Sequence, residues 1–309
     1  MDNIPHIPVM LEEVIGCLNP KDGEVYVDAT FGAGGYTKGI LSIAKCNVYA
    51  IDRDPNVKQY VDIINKEYPG MVRFLPGRFS QMVSLLNHAG VNQVNGVVLD
   101  IGVSSMQLDQ GNRGFSFMRE GPLDMRMECE GPDAADFINT AREQEIADVI
   151  YKYGGERKSR QIAKAILQER EKAPISTTTK LAEIVRKIVR SGKEKIDPST
   201  RTFQALRIFI NNELNELSEA LLAAENILAP GGRLVVVCFH SLEDSIVKEF
   251  FNRKSGKHTG VSRHAILVSE DRKKSIFNIL TKRVIVPSED EVIKNPRARS
   301  AKLRAAVRV

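Results

Sequence analysis

Glu24-Val25-Tyr26-Val27-Asp28-Ala29-Thr30-Phe31-Gly32-Ala33-Gly34-Gly35, followed by Val48-Tyr49-Ala50-Ile51-Asp52, decides the reading of this 309-residue chain. An apolar run rich in β-branched and aromatic residues ends in an acid. A glycine loop follows, then a helix-compatible stretch from Tyr36 to Ala44, then a second apolar run that also ends in an acid. This is the pattern of the opening βαβ unit of a nucleotide-binding α/β domain. Glycine lets backbone approach a ligand with no Cβ in the way. An acid about twenty residues further on suits the paired hydroxyls of an adenosine ribose.

Two ligands fit such a loop. A dinucleotide would set a doubly negative pyrophosphate over the glycines, beside the Asp28 carboxylate. S-adenosylmethionine carries no phosphate but has a sulfonium and an ammonium, a charge pattern that suits an acid there. Asp28 thus favours a methyl donor over NAD, although a glycine loop alone is a weak signal.

Working outward, Asp54-Pro55 opens a helix that runs to about Tyr68, proline being well placed in a first helical turn. Val72-Arg73-Phe74-Leu75 reads as a third strand and Phe79 to Ala89 as a helix. Gly96-Val97-Val98-Leu99-Asp100 is a fourth strand, again ending in an acid. Strands alternating with helices at this spacing predict a parallel, doubly wound sheet. After Asp100 the rhythm breaks. Residues 102–131 are loop-like, and Pro132 to Arg190 show helical spacing with no convincing strand, so a helical insertion is expected. Phe203 to Leu228 reads as one long helix closed by Pro230-Gly231-Gly232. A fifth strand over Arg233–Phe239, a helix over Leu242–Phe251 and a late strand pair over Asn278–Val286 and Lys302–Val309 complete the pattern. The expected domains are 1–110 with 200–309, which bind the donor, and 111–199, the helical insertion.

Composition sets bounds. With 42% hydrophobic residues the chain can bury a sizeable core. No apolar run approaches the roughly 18 residues a membrane span needs, and the N-terminus lacks the charge pattern of a signal peptide. Cys17, Cys46, Cys129 and Cys238 are scattered with no C-x-x-C pair, which predicts neither zinc nor disulfides and fits a reducing cytosol. Net charge is +5 but lopsided: residues 251–309 hold 15 Lys/Arg and 5 Asp/Glu, the remainder 29 and 34. A polyanionic partner near the C-terminal end, or simply a solvated basic face, would produce this asymmetry.

Several segments could carry chemistry. Asp100-Ile101-Gly102-Val103-Ser104-Ser105-Met106-Gln107 follows the fourth strand, on the sheet edge where ligands bind. Acceptors there can hold an exocyclic amine, whose lone pair is otherwise delocalised into its ring; the alternative is a loop that caps the strand. Asn112-Arg113-Gly114-Phe115-Ser116-Phe117-Met118 could stack a base and pair a phosphate, or dock the insertion on its core. Thr200-Arg201-Thr202-Phe203 begins a helix, a capping site and equally an anion site. Phe239-His240-Ser241-Leu242-Glu243 follows the fifth strand and places His240 at the ligand edge, either as a structural ring or as a group that handles a proton. Asn295 to Arg304 carries Arg297, Arg299, Lys302 and Arg304, a segment suited to phosphates.

Together these segments closely resemble one family, the bacterial 16S ribosomal RNA cytosine-N4 methyltransferases of the MraW type. The match runs from His6-Ile7-Pro8-Val9 to Arg304. The resemblance implies a class I methyltransferase sheet with an inserted helical domain, and S-adenosylmethionine held by Gly34, Gly35, Tyr36, Asp52, Phe79, Asp100 and Gln107. It implies methylation of a cytidine on N4 in the decoding region of 16S rRNA, with the small subunit as partner, no metal, and a cytoplasmic location. Asp100 would bridge donor and acceptor sites, Ser104 or Ser105 would hold the amine, and His240 would position or deprotonate it. Arg113, Arg201 and the four C-terminal cations are the candidate RNA contacts. This chain has Tyr36 where the family usually has His, and Met106 where it usually has Pro. The rival readings are an NAD-dependent oxidoreductase and a non-catalytic ribosome-assembly factor that keeps a vestigial fold.

Overall fold

The computed structural model describes residues 8–128, 130–190, 197–256 and 275–309. His6 and Ile7, Cys129, and the Lys257, Arg263, Arg272, Lys273 and Lys274 share of the basic region lie outside the described residues. The first two strands stop on the acids that mark them: β1 spans Val25–Asp28 and β2 Asn47–Asp52. β3 (Val72–Pro76) follows, and β4 (Val94–Asp100) again closes on its acid. With β5 (Leu228–Cys238), β6 (Phe277–Ile279) and β7 (Lys302–Arg308) they make one sheet in the order β3-β2-β1-β4-β5-β7-β6. Pairing is parallel from β3 through β5; β7 runs antiparallel to β5, and β6 antiparallel to β7. This is a doubly wound, Rossmann-like α/β sheet with an antiparallel edge. Strand order reverses between β1 and β4, and ligands in such sheets bind at that crevice, beyond the carboxyl ends of the strands.

The central strands read as continuous apolar runs because helices cover both faces. Val97, Val98 and Leu99 of β4 and Val235, Val236 and Val237 of β5 are fully buried. Each such side chain contributes about 1.5–3 kcal/mol by leaving water. The helices of this part are α1 (Leu11–Leu18), α2 (Gly35–Ile43), α3 (Lys58–Glu67) and α4 (Met82–His88).

The chain divides into two compact units. One holds the described residues up to Gly102 and from Leu214 onward; the other is Val103–Glu213. The second contains α5 (Ser105–Asp109), α6 (Ala134–Thr140), α7 (Glu143–Gly154), α8 (Ser159–Arg170), α9 (Thr178–Ile188) and α10 (Thr200–Ile210). Sequence reading leaves α5 and α10 with the sheet. In the structure Phe203, Ala205 and Leu206 of α10 share a core with Ile146, Ile150, Ile162 and Leu181, and Leu108 of α5 packs on it. The sheet unit resumes with α11 (Glu213–Ile227), then α12 (Ser241–Lys254) and α13 (Glu289–Lys294).

Two sequence expectations are corrected here. The single helix over Phe203–Leu228 is two helices, because Asn212 adopts φ 51°, a left-handed backbone that asparagine tolerates and a helix does not. Asn211 secures the break: its amide nitrogen donates to Met125 O at 2.7 Å, and its oxygen accepts from Met127 N at 2.8 Å. Pro230-Gly231-Gly232 does not close a helix by a turn. Leu228 already pairs with Val94, and a register shift absorbs the residues before Gly96 meets Arg233. The strand ends at Cys238, one residue short of Phe239.

Candidate active site

At the carboxyl edge of the sheet, register sets the depth of three acids. Asp28 lies level with Ala50 and Val98, so Asp52 and Asp100 each reach two residues further along their strands. Asp28 is fully buried, and its Oδ2 accepts from Thr37 Oγ1 at 2.7 Å and Thr37 N at 3.2 Å. It thereby ties β1 to the first turn of α2. Burial pushes its carboxyl up to about 6, against the pull of the Thr37 hydroxyl. Past Asp28, Thr30 Oγ1 accepts the Asp100 N–H at 2.7 Å, which fixes the end of β4 against the loop after β1.

Asp52 organises the glycine loop. Its Oδ2 accepts from Gly32 N at 2.8 Å and its Oδ1 from Asp54 N at 2.8 Å. Each oxygen keeps a second lone pair for a ligand hydroxyl. Burial raises this carboxyl to about 6, against the two backbone donors. Gly34 has φ 77°, and a Cβ there would lie 2.2 Å from Ile64 Cδ1; at Gly35 it would lie 2.8 Å from Pro8 Cβ. On that side both glycines are therefore required by turn geometry and protein packing, and what they can offer a ligand is backbone. Phe79, half-buried, packs on the sheet core just after Gly77, whose N–H donates to Asp52 O at 3.0 Å.

Tyr36 is 4% exposed, and its hydroxyl donates to Val9 O at 2.6 Å. Asp100 lies beside the same hydroxyl, which burial lifts well above the ordinary tyrosine range. The side chain thus faces the N-terminal segment and Asp100. Asp100 is the most perturbed acid of the group. Desolvation, with the Asp28 and Glu243 carboxylates nearby, pushes it up to about 8. Its Oδ1 is shut off from solvent without a hydrogen-bond partner among the described residues.

His240 caps α12. Its Nδ1 accepts from Glu243 N at 3.4 Å, while Nε2 lies 2.9 Å from Glu243 Oε1. An accepting Nδ1 places the neutral ring's proton on Nε2. Glu243 is fully buried and its Oε2 also accepts from Phe239 N at 2.8 Å and His240 N at 3.2 Å, so one carboxylate orders the whole turn after β5.

One edge of the sheet unit thus gathers Gly34, Gly35, Tyr36, Asp52, Phe79, Asp100 and His240. Ser104 and Gln107 belong to the other unit, where they cap α5 reciprocally: Gln107 N donates to Ser104 Oγ at 3.2 Å and Ser104 N to Gln107 Oε1 at 3.1 Å. Ser105 is the first residue of that helix. Two arginines expected on RNA turn inward. Arg113 is 8% exposed and its guanidinium donates to Arg126 O and Met127 O, both at 3.0 Å. The Arg304 side chain is 14% exposed and bonds Asp244 Oδ1 at 2.7 Å. Both brace the fold. Lys302 lies 3.5 Å from the same aspartate and is half-exposed. Arg201, Arg297 and Arg299 are exposed. Sequence reading missed Thr30 and Thr37, which position Asp100 and Asp28. The available signal was a hydroxyl two residues past a strand-terminal acid and another in the first turn of the next helix.

The site fits a cationic nucleoside. Among the groups that set the Asp100 titration, carboxylates are the charged ones, and a half-buried acid with one enclosed, unpartnered oxygen calls for a positive charge. A pyrophosphate in the same place would meet the like charges of Asp28 and Asp52. Among the described residues no helix is long and apolar enough to cross a membrane.

A ribosomal RNA small subunit methyltransferase H of Paramagnetospirillum magneticum is 53% identical over 304 residues, 98% of this chain and 96% of that protein. Its namesake in Maricaulis maris is 53% identical over 309 residues, 100% of this chain and 92% of that protein. The one in Ehrlichia chaffeensis is 50% identical over 307 residues, 98% of this chain and 100% of that protein. The profile of the MraW methylase family matches residues 3–309. On a match of that extent, the chain belongs to the MraW methylase family.

Proposed function

We propose that this methylase transfers the methyl group of S-adenosylmethionine to N4 of a cytidine in the decoding region of 16S ribosomal RNA, in the cytoplasm and in the context of the small subunit. The observation that carries the reading is the Asp28, Asp52 and Asp100 edge, with Asp100 raised to about 8 beside an unpartnered Oδ1. The donor supplies an electrophilic methyl on sulfur. The residues supply position and charge. Asp52 would hold the ribose hydroxyls and Phe79 the adenine face. The N–H groups of α2 ahead of Thr37 suit the donor's carboxylate. Ionised Asp100 accepts from the cytosine amine, which favours the pyramidal nitrogen that attack requires. His240 orients the amine. Most of the rate comes from orientation in a dry site, and the target base must be unstacked to enter it. The test is transfer of labelled methyl from the donor to purified small subunits and to naked rRNA. Incorporation supports the reading; its absence in both would favour an assembly factor.

Transfer to nitrogen needs no cysteine, whereas attack at cytosine carbon-5 normally uses a thiolate. Cys238 is fully buried inside β5 and Cys46 is buried beside β2. Desolvation raises the Cys238 thiol well above its ordinary value, away from the reactive thiolate. A variant with all four cysteines changed to Ala should retain most of its transfer rate. A folded variant without activity would point to carbon-5 chemistry.

The C-terminal segment is proposed to contact RNA through exposed Arg297 and Arg299, with Lys302 at its margin. Changing both arginines to Ala should weaken subunit binding and reduce its salt slope by roughly 0.7–0.9 per lost phosphate contact. Calorimetric donor affinity should stay unchanged. An equal loss of donor binding would show that the segment only braces the sheet.

A further inference from the structure

The helical unit uses most of its arginines on itself. Arg113 holds the Arg126 and Met127 carbonyls, and Arg119 donates to Asp109 O at 2.8 Å. Arg126 pairs with Asp124, Arg142 with Glu145, Arg186 with Asp197 and Arg207 with Glu213. Arg170 caps α6 through Ile138 O and Ala141 O. Arg157, Arg160, Arg190 and Arg201 differ. All four are exposed, and none makes an ion pair or hydrogen bond with the described residues. Of these, Arg157, Arg160 and Arg201 come together.

These three lie at one corner. Arg157 is in the turn between α7 and α8, and Arg160 is in the first turn of α8. Arg201 opens α10, whose backbone reaches the end of α7: a Cβ on Gly154 would lie 2.4 Å from Arg201 O. Glycine at 154 is what permits that approach. Lys152 and Lys158 add charge to the corner. Two acids accompany them, one exposed and one turned in. Asp148 accepts from Gln144 Nε2 at 2.7 Å, and Glu156 is 6% exposed with its Oε1 on Lys158 N at 2.9 Å. Tyr151, in the last turn of α7, is 60% exposed.

A solvent-facing arginine with no acid partner adds little to stability. A cluster of them with an exposed aromatic ring, in which cations outnumber acids, complements a polyanion that also offers flat rings. We propose that the corner formed by the α7–α8 turn and the start of α10 is an RNA-contact surface of the helical unit, with Arg157, Arg160 and Arg201 on phosphates and Tyr151 stacked on an unpaired base. The proposal rests on the RNA-methylating reading above and adds to it a surface separate from the C-terminal segment.

The test compares wild type with Arg157→Ala/Arg160→Ala, with Tyr151→Ala, and with Arg142→Ala as the control whose arginine already has a partner. Binding of naked small-subunit rRNA is measured across salt, donor affinity by calorimetry, and transfer to small subunits by steady-state kinetics. The double variant should bind RNA about tenfold more weakly, with a salt slope lower by roughly 0.7–0.9 per contact. Its KM for subunits should rise while kcat at saturation and donor affinity hold. Tyr151→Ala should weaken binding with no change in slope, since it removes no charge. The control should behave as wild type. Unchanged binding and slope in the double variant, or an equal loss in Arg142→Ala, overturns the proposal. Binding lost for an acidic protein partner but not for rRNA would reassign the surface and also overturns it. Wild type that binds rRNA through this corner yet transfers no methyl group would instead overturn the functional reading alone.

Discussion

Asp100→Asn will cut methyl transfer by about 10²-fold or more while making the donor-free protein more stable above pH 8. In the proposed mechanism Asp100 is the acceptor whose negative charge would face the amine and the donor, and the rate loss is of the size seen when a preorganised charge-stabilising group is lost. The stability gain follows from the raised titration. Asp100 is held at about 8 in the fold, against an ordinary aspartate near 3.8. A carboxyl raised by folding contributes stability that is full below its unfolded value and is lost as pH rises through its folded value. Wild type therefore carries a buried, poorly solvated charge above pH 8 that asparagine does not have. The same acid predicts how pH acts on the donor. A cationic ligand favours the ionised form, so binding expels the Asp100 proton. Affinity should climb with pH up to about 8, by at most tenfold per unit for each proton released, and then level off; Asp28, raised to about 6, adds a second and lower inflection. Thermal unfolding at pH 6 and 9, with calorimetric titrations across that range, checks both parts. A variant that keeps wild-type kcat and the wild-type pH profile would show that Asp100 does not face the reacting centre.

Asp52→Ala will weaken donor binding by more than tenfold. Each charge-assisted hydrogen bond lost to a ribose hydroxyl costs about 1.5–3 kcal/mol. The structure adds a second cost, because the same carboxylate holds Gly32 N in the glycine loop and Asp54 N in the loop after β2, and its loss frees both. Asp52→Asn would retain one acceptor oxygen but set its amide against a backbone N–H, so it should rescue only part of the loss. An analogue of S-adenosylhomocysteine that lacks one ribose hydroxyl separates the two costs. It should bind wild type poorly and lose little further in the variant. If the variant discriminates against the analogue as strongly as wild type does, the hydroxyls lie elsewhere.

The parts legible in sequence are those set by local pattern. A run of β-branched residues that ends in an acid marks both a strand and its ligand edge, so Asp28, Asp52 and Asp100 could be placed before any coordinates. The limits are equally physical. Helical periodicity carries straight through Asn211 and Asn212, because a left-handed asparagine leaves no mark in hydrophobic spacing. Pro230-Gly231-Gly232 has the composition of a helix stop but sits inside a strand, since Leu228 pairs with Val94 across the sheet and only tertiary pairing reveals that. A sequence also cannot say which way an arginine turns. Arg113 and Arg304 look like RNA contacts by charge, yet the first satisfies carbonyls of its own loop and the second a half-buried aspartate 60 residues away. Thr30 and Thr37 escaped notice for the opposite reason, being ordinary hydroxyls whose importance comes only from the carboxyl and the amide they meet.

Mass spectrometry of nucleosides from small-subunit RNA, treated with the purified protein and S-adenosylmethionine, tests the central claim most directly. The account predicts one new methyl group, on N4 of a cytidine in a decoding-region fragment, and its disappearance with Asp100→Asn. A methyl group on ring carbon-5, or on any base outside that region, would contradict it.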